Sequence, residues 1–119
     1  MELSIVKEKA LTLAKTLELY KGANVIVLDL SQKNIWTDFF VIVTSTSAAH
    51  SDGLVRHVLE QAQELELDNI KKLKKIDDGE EWKLIDLGQI VVHIMSEKAR
   101  SFYELEKLWY DAVPAYKGD

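Results

Sequence analysis

Two hydrophobic periods alternate along this chain, and together they predict an α/β fold: a mixed β-sheet with helices packed on it. Helical spacing governs Leu3, Val6, Ala10, Leu13, Ala14, Leu17 and Tyr20, and it returns at Leu54, Val55, Val58, Leu59, Ala62 and Leu65. Short β-rich runs fill the intervals: VIVLDL (25–30), FFVIVTS (39–45), WKLIDL (82–87) and IVVHIM (90–95). The 119 residues fit one domain over 1–119. A domain of that size buries roughly two-thirds of its chain surface, so it folds without a metal or disulfide.

In order, the first helix is amphipathic and meets Gly22 as a stop signal. VIVLDL reads as a strand buried on both faces apart from Asp29. SQKN (31–34) is turn-like, and FFVIVTS is the second strand. Ser47 is placed to cap the next helix. Gly53 lies inside that helix at a cost of roughly 1 kcal/mol against alanine, for which the sequence offers no reason. Asn69 to Ile76 reads as a short strand carrying lysines, and Asp77-Asp78-Gly79 as a turn. Ser96 caps a last helix, with Glu97 in its first turn and an apolar stripe of Ala99, Phe102, Leu105 and Trp109, ended by Pro114. The predicted order is α-β-β-α-β-β-β-α, with residues 115–119 frayed.

Composition excludes several classes. The chain has no cysteine, hence no disulfide framework and no thiol nucleophile. Charges interrupt every apolar stretch of MELSIVKEKALTLAK, unlike a signal peptide. No apolar run approaches the roughly 18 residues of a membrane-spanning helix, so a cytoplasmic protein is expected. A net charge of −5 opposes non-specific binding to nucleic acid. KKLKK (71–75) is the local exception: Lys71, Lys72, Lys74 and Lys75 either contact RNA phosphates or guard an edge strand against aggregation.

Catalytic chemistry finds little support. There is no GxSxG, no P-loop and no GxGxxG. Thr44 to Ser47 stand at a strand-to-helix junction, where they either cradle an anion or simply cap the helix. His50 and His57 share a helix face but lie roughly 10 Å apart, with Leu54 between them. The pairs Glu64/Glu66 and Glu104/Glu106 diverge on their helices. His93, among Val91, Val92, Ile94 and Met95, reads as a neutral, hydrogen-bonded structural residue.

The hairpin at 82–95 is different. Alternation puts Trp82, Leu84 and Asp86 on one face and Lys83, Ile85 and Leu87 on the other. A two-residue turn would force Leu87 to positive φ, so a three-residue loop with Gly88 left-handed is favoured. Tryptophan is over-represented at binding hot spots, and no cofactor motif accompanies it. A binding surface fits better than an active site.

TDFFVIVTSTSAAH (37–50), WKLIDLGQIVVHIM (82–95) and ARSFYELEKLW (99–109) resemble the Iojap-related ribosomal silencing factors. The likeness runs over roughly residues 3–110. It implies an α/β domain of nucleotidyltransferase-like topology without the catalytic residues. It also implies a non-enzymatic translational repressor, with no cofactor and no metal. Such a repressor binds the large ribosomal subunit at ribosomal protein fourteen and blocks joining of the small subunit, especially under nutrient limitation. The implied docking residues are Trp82, Lys83, Asp86 and Leu87, with Arg100 and Tyr103 nearby. Ser45 stands where the family usually has glycine, and KKLKKIDDGE replaces its usual Glu-Gly turn. Two other readings stay open: a large-subunit assembly factor, and a nucleotidyltransferase-like protein holding nucleotide near Thr44 to Ser47 and metal through Asp29 or Asp86. The sequence also leaves open whether the free protein is a homodimer.

Overall fold

The structure, a computed structural model, describes residues 2–33, 35, 37–67, 72–75, 81–108 and 111–118. Its elements are α1 (Leu3–Leu19), β1 (Ala23–Asp29), β2 (Phe39–Ser45), α2 (Ala48–Glu64), β3 (Lys72–Lys75), β4 (Trp82–Asp86), β5 (Ile90–Ser96), α3 (Glu97–Tyr103), α4 (Leu105–Leu108) and β6 (Val113–Lys117). The six strands form one mixed sheet in the order β3-β4-β5-β2-β1-β6. Only β2 and β5 run parallel; the other neighbouring pairs are antiparallel. That one parallel pair forces a crossover, which α2 supplies.

Apolar clusters cover both faces of the sheet. On one, Val6, Ala10, Leu13, Ala14 and Leu17 of α1 and Leu54, Val55, Val58 and Ala62 of α2 pack on Val25, Val27, Val41, Val43, Ile85, Val92 and Ile94. On the other, Ala99 and Leu105 pack on Ile26, Leu28, Phe40, Ile42, Val91 and Met95, with Trp82 and Leu84 at the margin. Double coverage explains why β2 is buried at every position. Among the described residues no helix is long and apolar enough to cross a membrane.

Both long helices end in the same way. The Gly22 N–H reaches the Leu17 carbonyl at 2.8 Å and the Lys21 N–H reaches that of Glu18 at 3.1 Å. Leu67 to Ala62 (2.7 Å) and Glu66 to Gln63 (3.2 Å) repeat the pattern at the end of α2. These are Schellman motifs, yet the left-handed residue is Lys21 (φ 73°) in one and Glu66 (φ 59°) in the other. Gly22 therefore acts through space rather than torsion. A Cβ there would stand 2.5 Å from Val43 Cγ2 and 2.8 Å from the Leu17 carbonyl oxygen.

Two expectations about the C-terminal part are corrected. The last helix is not continuous, because Glu104 adopts φ 46° and splits it into α3 and α4. The predicted stripe consequently divides: Ala99 and Leu105 are buried, whereas Phe102 is 78% exposed. Trp109, assigned to the same stripe, lies outside the described residues. The tail expected to fray instead forms β6, with Val113 to Lys117 pairing antiparallel to β1. Without it, β1 would leave a hydrophobic strand with an open edge. Pro114 is tolerated because β6 is itself an edge strand. The Gly118 N–H donates to the Val25 carbonyl (2.8 Å), and the Tyr116 hydroxyl bonds the Glu18 carboxylate of α1.

Candidate partner-docking site

The β4–β5 hairpin is joined by residues 87–89, with Gly88 at φ 87°. Asp86 shapes this turn, its Oδ1 accepting the Gly88 N–H at 2.8 Å. Burial alternates along β4 as the sequence pattern requires: Trp82, Leu84 and Asp86 are half-buried, while Lys83 and Ile85 are buried. The six implied docking residues therefore do not converge on one surface. Lys83 (2% exposed) and Leu87 (3%) lie on the face covered by α1 and α2. The Lys83 ammonium pairs there with Asp52 of α2. A lysine survives such burial by lining its alkyl stem with apolar neighbours and delivering its charge to a carboxylate at the rim.

Arg100 is engaged as well. Its guanidinium donates to the Asn24 carbonyl, to Thr44 Oγ1 at 3.0 Å, and to Glu106 Oε2 through Nη2 (3.0 Å) and Nε (3.3 Å). With its side chain 12% exposed, it serves to fasten α3 and α4 to the end of the sheet.

Trp82 and Tyr103 do come together. Their ring centroids are 4.6 Å apart, and the Phe102 ring stands edge-on to Tyr103 at 5.0 Å. Beneath, the Trp82 indole N–H donates to His93 Nδ1 at 3.1 Å, and Phe40 meets the His93 ring at 4.4 Å. Aromatic side chains thus run from solvent into the sheet: Phe102, Tyr103, Trp82, His93, Phe40. A shallow cavity of about 260 Å³ adjoins the outer end, lined by Glu81, Lys98, Ala99, Phe102 and Tyr103. Burial holds the His93 imidazole well below its ordinary value, at about 4, so the ring is neutral near pH 7, in keeping with its structural reading. Phe102 was missed from the sequence, because only the left-handed Glu104 separates an exposed position here from a core one.

The other candidates resolve differently. Ser47 accepts the His50 N–H at 3.0 Å, and His50 Nδ1 accepts the Thr46 N–H at 3.0 Å. These N–H groups of the α2 start are already satisfied, which favours capping over anion binding. His50 Nε2 meets the Tyr20 carbonyl at 2.9 Å, and His57 stacks on the Tyr20 ring at 3.5 Å. The two histidines thus tie the end of α1 to α2. Among the described residues a Cβ on Gly53 would meet only Arg56 Nη2, at 3.9 Å, so sterics there give no reason for the glycine. Asp29 and Asp86 lie at the same end of the sheet with β2 and β5 between them. Three strand spacings, roughly 14 Å, are too wide for one metal ion. Among the described residues no three His, Asp or Glu side chains are placed to hold a metal. Among the described residues β3 pairs with β4 alone, setting Lys72 opposite Asp86, Lys74 opposite Leu84 and Lys75 opposite Lys83. Lys71 lies outside the described residues.

Fold and site together define a class: an α/β domain that exposes an aromatic step on one side of a doubly covered sheet. The chain belongs to the family described as "Ribosomal silencing factor during starvation", which it matches over residues 4–118. It is 38% identical over 95 residues to the ribosomal silencing factor of Treponema pallidum, across 80% of this chain and 84% of that one. It is 31% identical over 87 residues to the mouse protein named "Mitochondrial assembly of ribosomal large subunit protein 1", across 72% of this chain and 38% of that one. A crystal structure of a Chromobacterium violaceum protein superposes with a TM-score of 0.75 at 27% identity, covering 98% of this chain and 92% of that one.

Proposed function

We propose that this protein is a non-catalytic translational repressor acting in the cytoplasm. It binds the large ribosomal subunit at ribosomal protein fourteen and occludes the surface on which the small subunit docks, particularly under nutrient limitation. The observation that carries this reading is the aromatic step of half-buried Trp82 with exposed Tyr103 and Phe102. Large rings with fixed neighbours are the residues that anchor protein interfaces. Within the docking set, Trp82 and Tyr103 meet the partner and Asp86 offers a carboxylate at the far end of β4. Lys83, Leu87 and Arg100 act from beneath by holding β4 and α3 in place. An acidic chain, −5 overall, suits a basic ribosomal partner.

The test is sucrose-gradient sedimentation of purified subunits with and without the protein. The expected outcome is saturable co-sedimentation with large subunits and fewer joined ribosomes, without any need for ATP. Unchanged joining in the presence of a molar excess of folded protein overturns the reading.

The name of the mouse relative favours a second reading, an assembly role on the same subunit. Depletion separates the two. A silencing factor leaves mature large subunits intact, whereas loss of an assembly factor leaves precursor particles.

A further inference from the structure

Trp82 does not set its own orientation. On the sheet, His93 pairs with Leu84 and Met95 with Trp82, so the imidazole is a diagonal neighbour of the indole on the same face. The Trp82 N–H donates to His93 Nδ1 at 3.1 Å, with the ring planes tilted by 43°. Phe40 closes the far side of the imidazole edge-on, at 71°. Tyr103 rests against the indole from the α3 side. His93 is 3% exposed, and among the described residues its Nε2 has no hydrogen-bond partner.

The two ring nitrogens therefore have unequal roles. A neutral imidazole that accepts at Nδ1 must carry its proton on Nε2. That N–H is buried and, among the described residues, unsatisfied. A side chain serving only to fill space between Val91 and Met95 would be apolar, as its strand neighbours are, and would leave no such donor. What the histidine adds over an apolar residue is the acceptor that receives the indole N–H.

We infer that His93 is a positioning residue for partner docking: its Nδ1 fixes the rotation of the Trp82 indole, so the anchor meets the partner already oriented. This rests on the reading that Trp82 is the docking anchor. Without the acceptor, the indole can turn its N–H toward solvent, and the ordering then has to occur on binding.

Two amides distinguish the ring nitrogens. An asparagine carbonyl reaches about as far as Nδ1, and a glutamine carbonyl about as far as Nε2. His93→Asn, His93→Gln and His93→Leu are compared with the parent by two readouts. The first is the Trp82 indole N–H resonance, assigned by its loss in Trp82→Phe. The second is affinity for isolated large ribosomal subunits, with Trp82→Ala measured alongside and folding checked by circular dichroism. His93→Asn is expected to keep the resonance near its parental position and to bind within about threefold, whereas His93→Gln and His93→Leu shift it and weaken binding about tenfold or more. Parental affinity in His93→Leu, or equal losses in the Asn and Gln variants, overturns the positioning role. Should the leucine variant fail to fold, the Asn–Gln comparison decides alone. Parental affinity in Trp82→Ala overturns the docking reading itself, a failure distinct from the first.

Discussion

At Trp82, strand register and burial set the terms of the docking argument. The ring is half-buried, against Tyr103 on one side and His93 beneath, so truncation removes a pre-ordered anchor rather than a loose side chain. Removing such an anchor from the centre of an interface typically costs about 2–4 kcal/mol, or roughly 30- to 1,000-fold in affinity. Trp82→Ala is expected to release the protein from large subunits while its far-ultraviolet circular dichroism stays parental; global unfolding would mark the tryptophan as core. His93 gives a second prediction, on stability. Its folded-state value of about 4 lies below the ordinary 6.5. Between those values the unfolded chain takes up a proton that the folded chain refuses. The stabilisation is complete above about pH 6.5 and is lost as pH falls toward about 4. Moving from pH 7 to pH 5 should therefore cost the parent about 2 kcal/mol more than His93→Asn, at 1.36 kcal/mol per unit. Urea unfolding at the two pH values measures this, and His50 and His57 cancel because both proteins contain them. Equal pH slopes would show that the His93 imidazole takes up its proton in the fold as readily as in the unfolded chain. Alternation alone put Trp82 and Asp86 opposite Lys83 and Leu87. Which face α1 and α2 cover is set by packing against residues far away in sequence, the Lys83–Asp52 pair among them, and strand period carries no information about that.

Helix and strand boundaries were legible where composition marks them and hidden where torsion does. Ser47 and Ser96 both cap as expected, accepting N–H groups three residues on. The left-handed exits at Lys21, Glu66 and Glu104 carry no glycine or asparagine; Gly22 marks the first from one residue beyond, and the other two lack such a signal. At Glu104 the consequence is largest, since the break turns Phe102 outward while Leu105 stays buried. β6 was hidden for a related reason. A five-residue run containing proline reads as a terminator until β1 is seen to need a partner. The two Schellman exits yield a prediction at this scale. A non-glycine residue in the left-handed region costs roughly 1–2 kcal/mol, and part of the gain from glycine is returned as unfolded-chain entropy. Glu66 is exposed, so Glu66→Gly should stabilise by about 0.5–1 kcal/mol, raising Tm by about 2–5 °C. A lower Tm in scanning calorimetry would mean that the Glu66 side chain makes a compensating interaction.

Across the whole molecule, the sheet directs where partners can approach. Helices pack on both faces, and among the described residues the aromatic step beside α3 and the two edge strands, β3 and β6, are surfaces the sheet itself offers. The β3 edge carries the cationic run of an otherwise acidic chain, and two explanations compete for it. Lysines on an edge strand repel a second strand, which requires only that the charge be solvated. Lysines that meet ribosomal RNA displace condensed counterions, and that leaves a thermodynamic signature. Register puts Lys72 level with Asp86, which ties this edge to the same end of β4 as the turn at Gly88. A protein docked through Trp82 and Tyr103 would carry the edge with it to the subunit surface, where phosphates are dense. Replacing Lys71, Lys72, Lys74 and Lys75 by glutamine removes the cations and keeps chain length. If the run meets phosphates, each phosphate no longer neutralised should lower the slope of log affinity against log salt by about 0.7–0.9. Affinity for large subunits measured between low and physiological salt gives that slope directly. A slope identical to the parent's, joined to increased self-association of the variant, would leave protection of the edge strand as the whole role of the lysines.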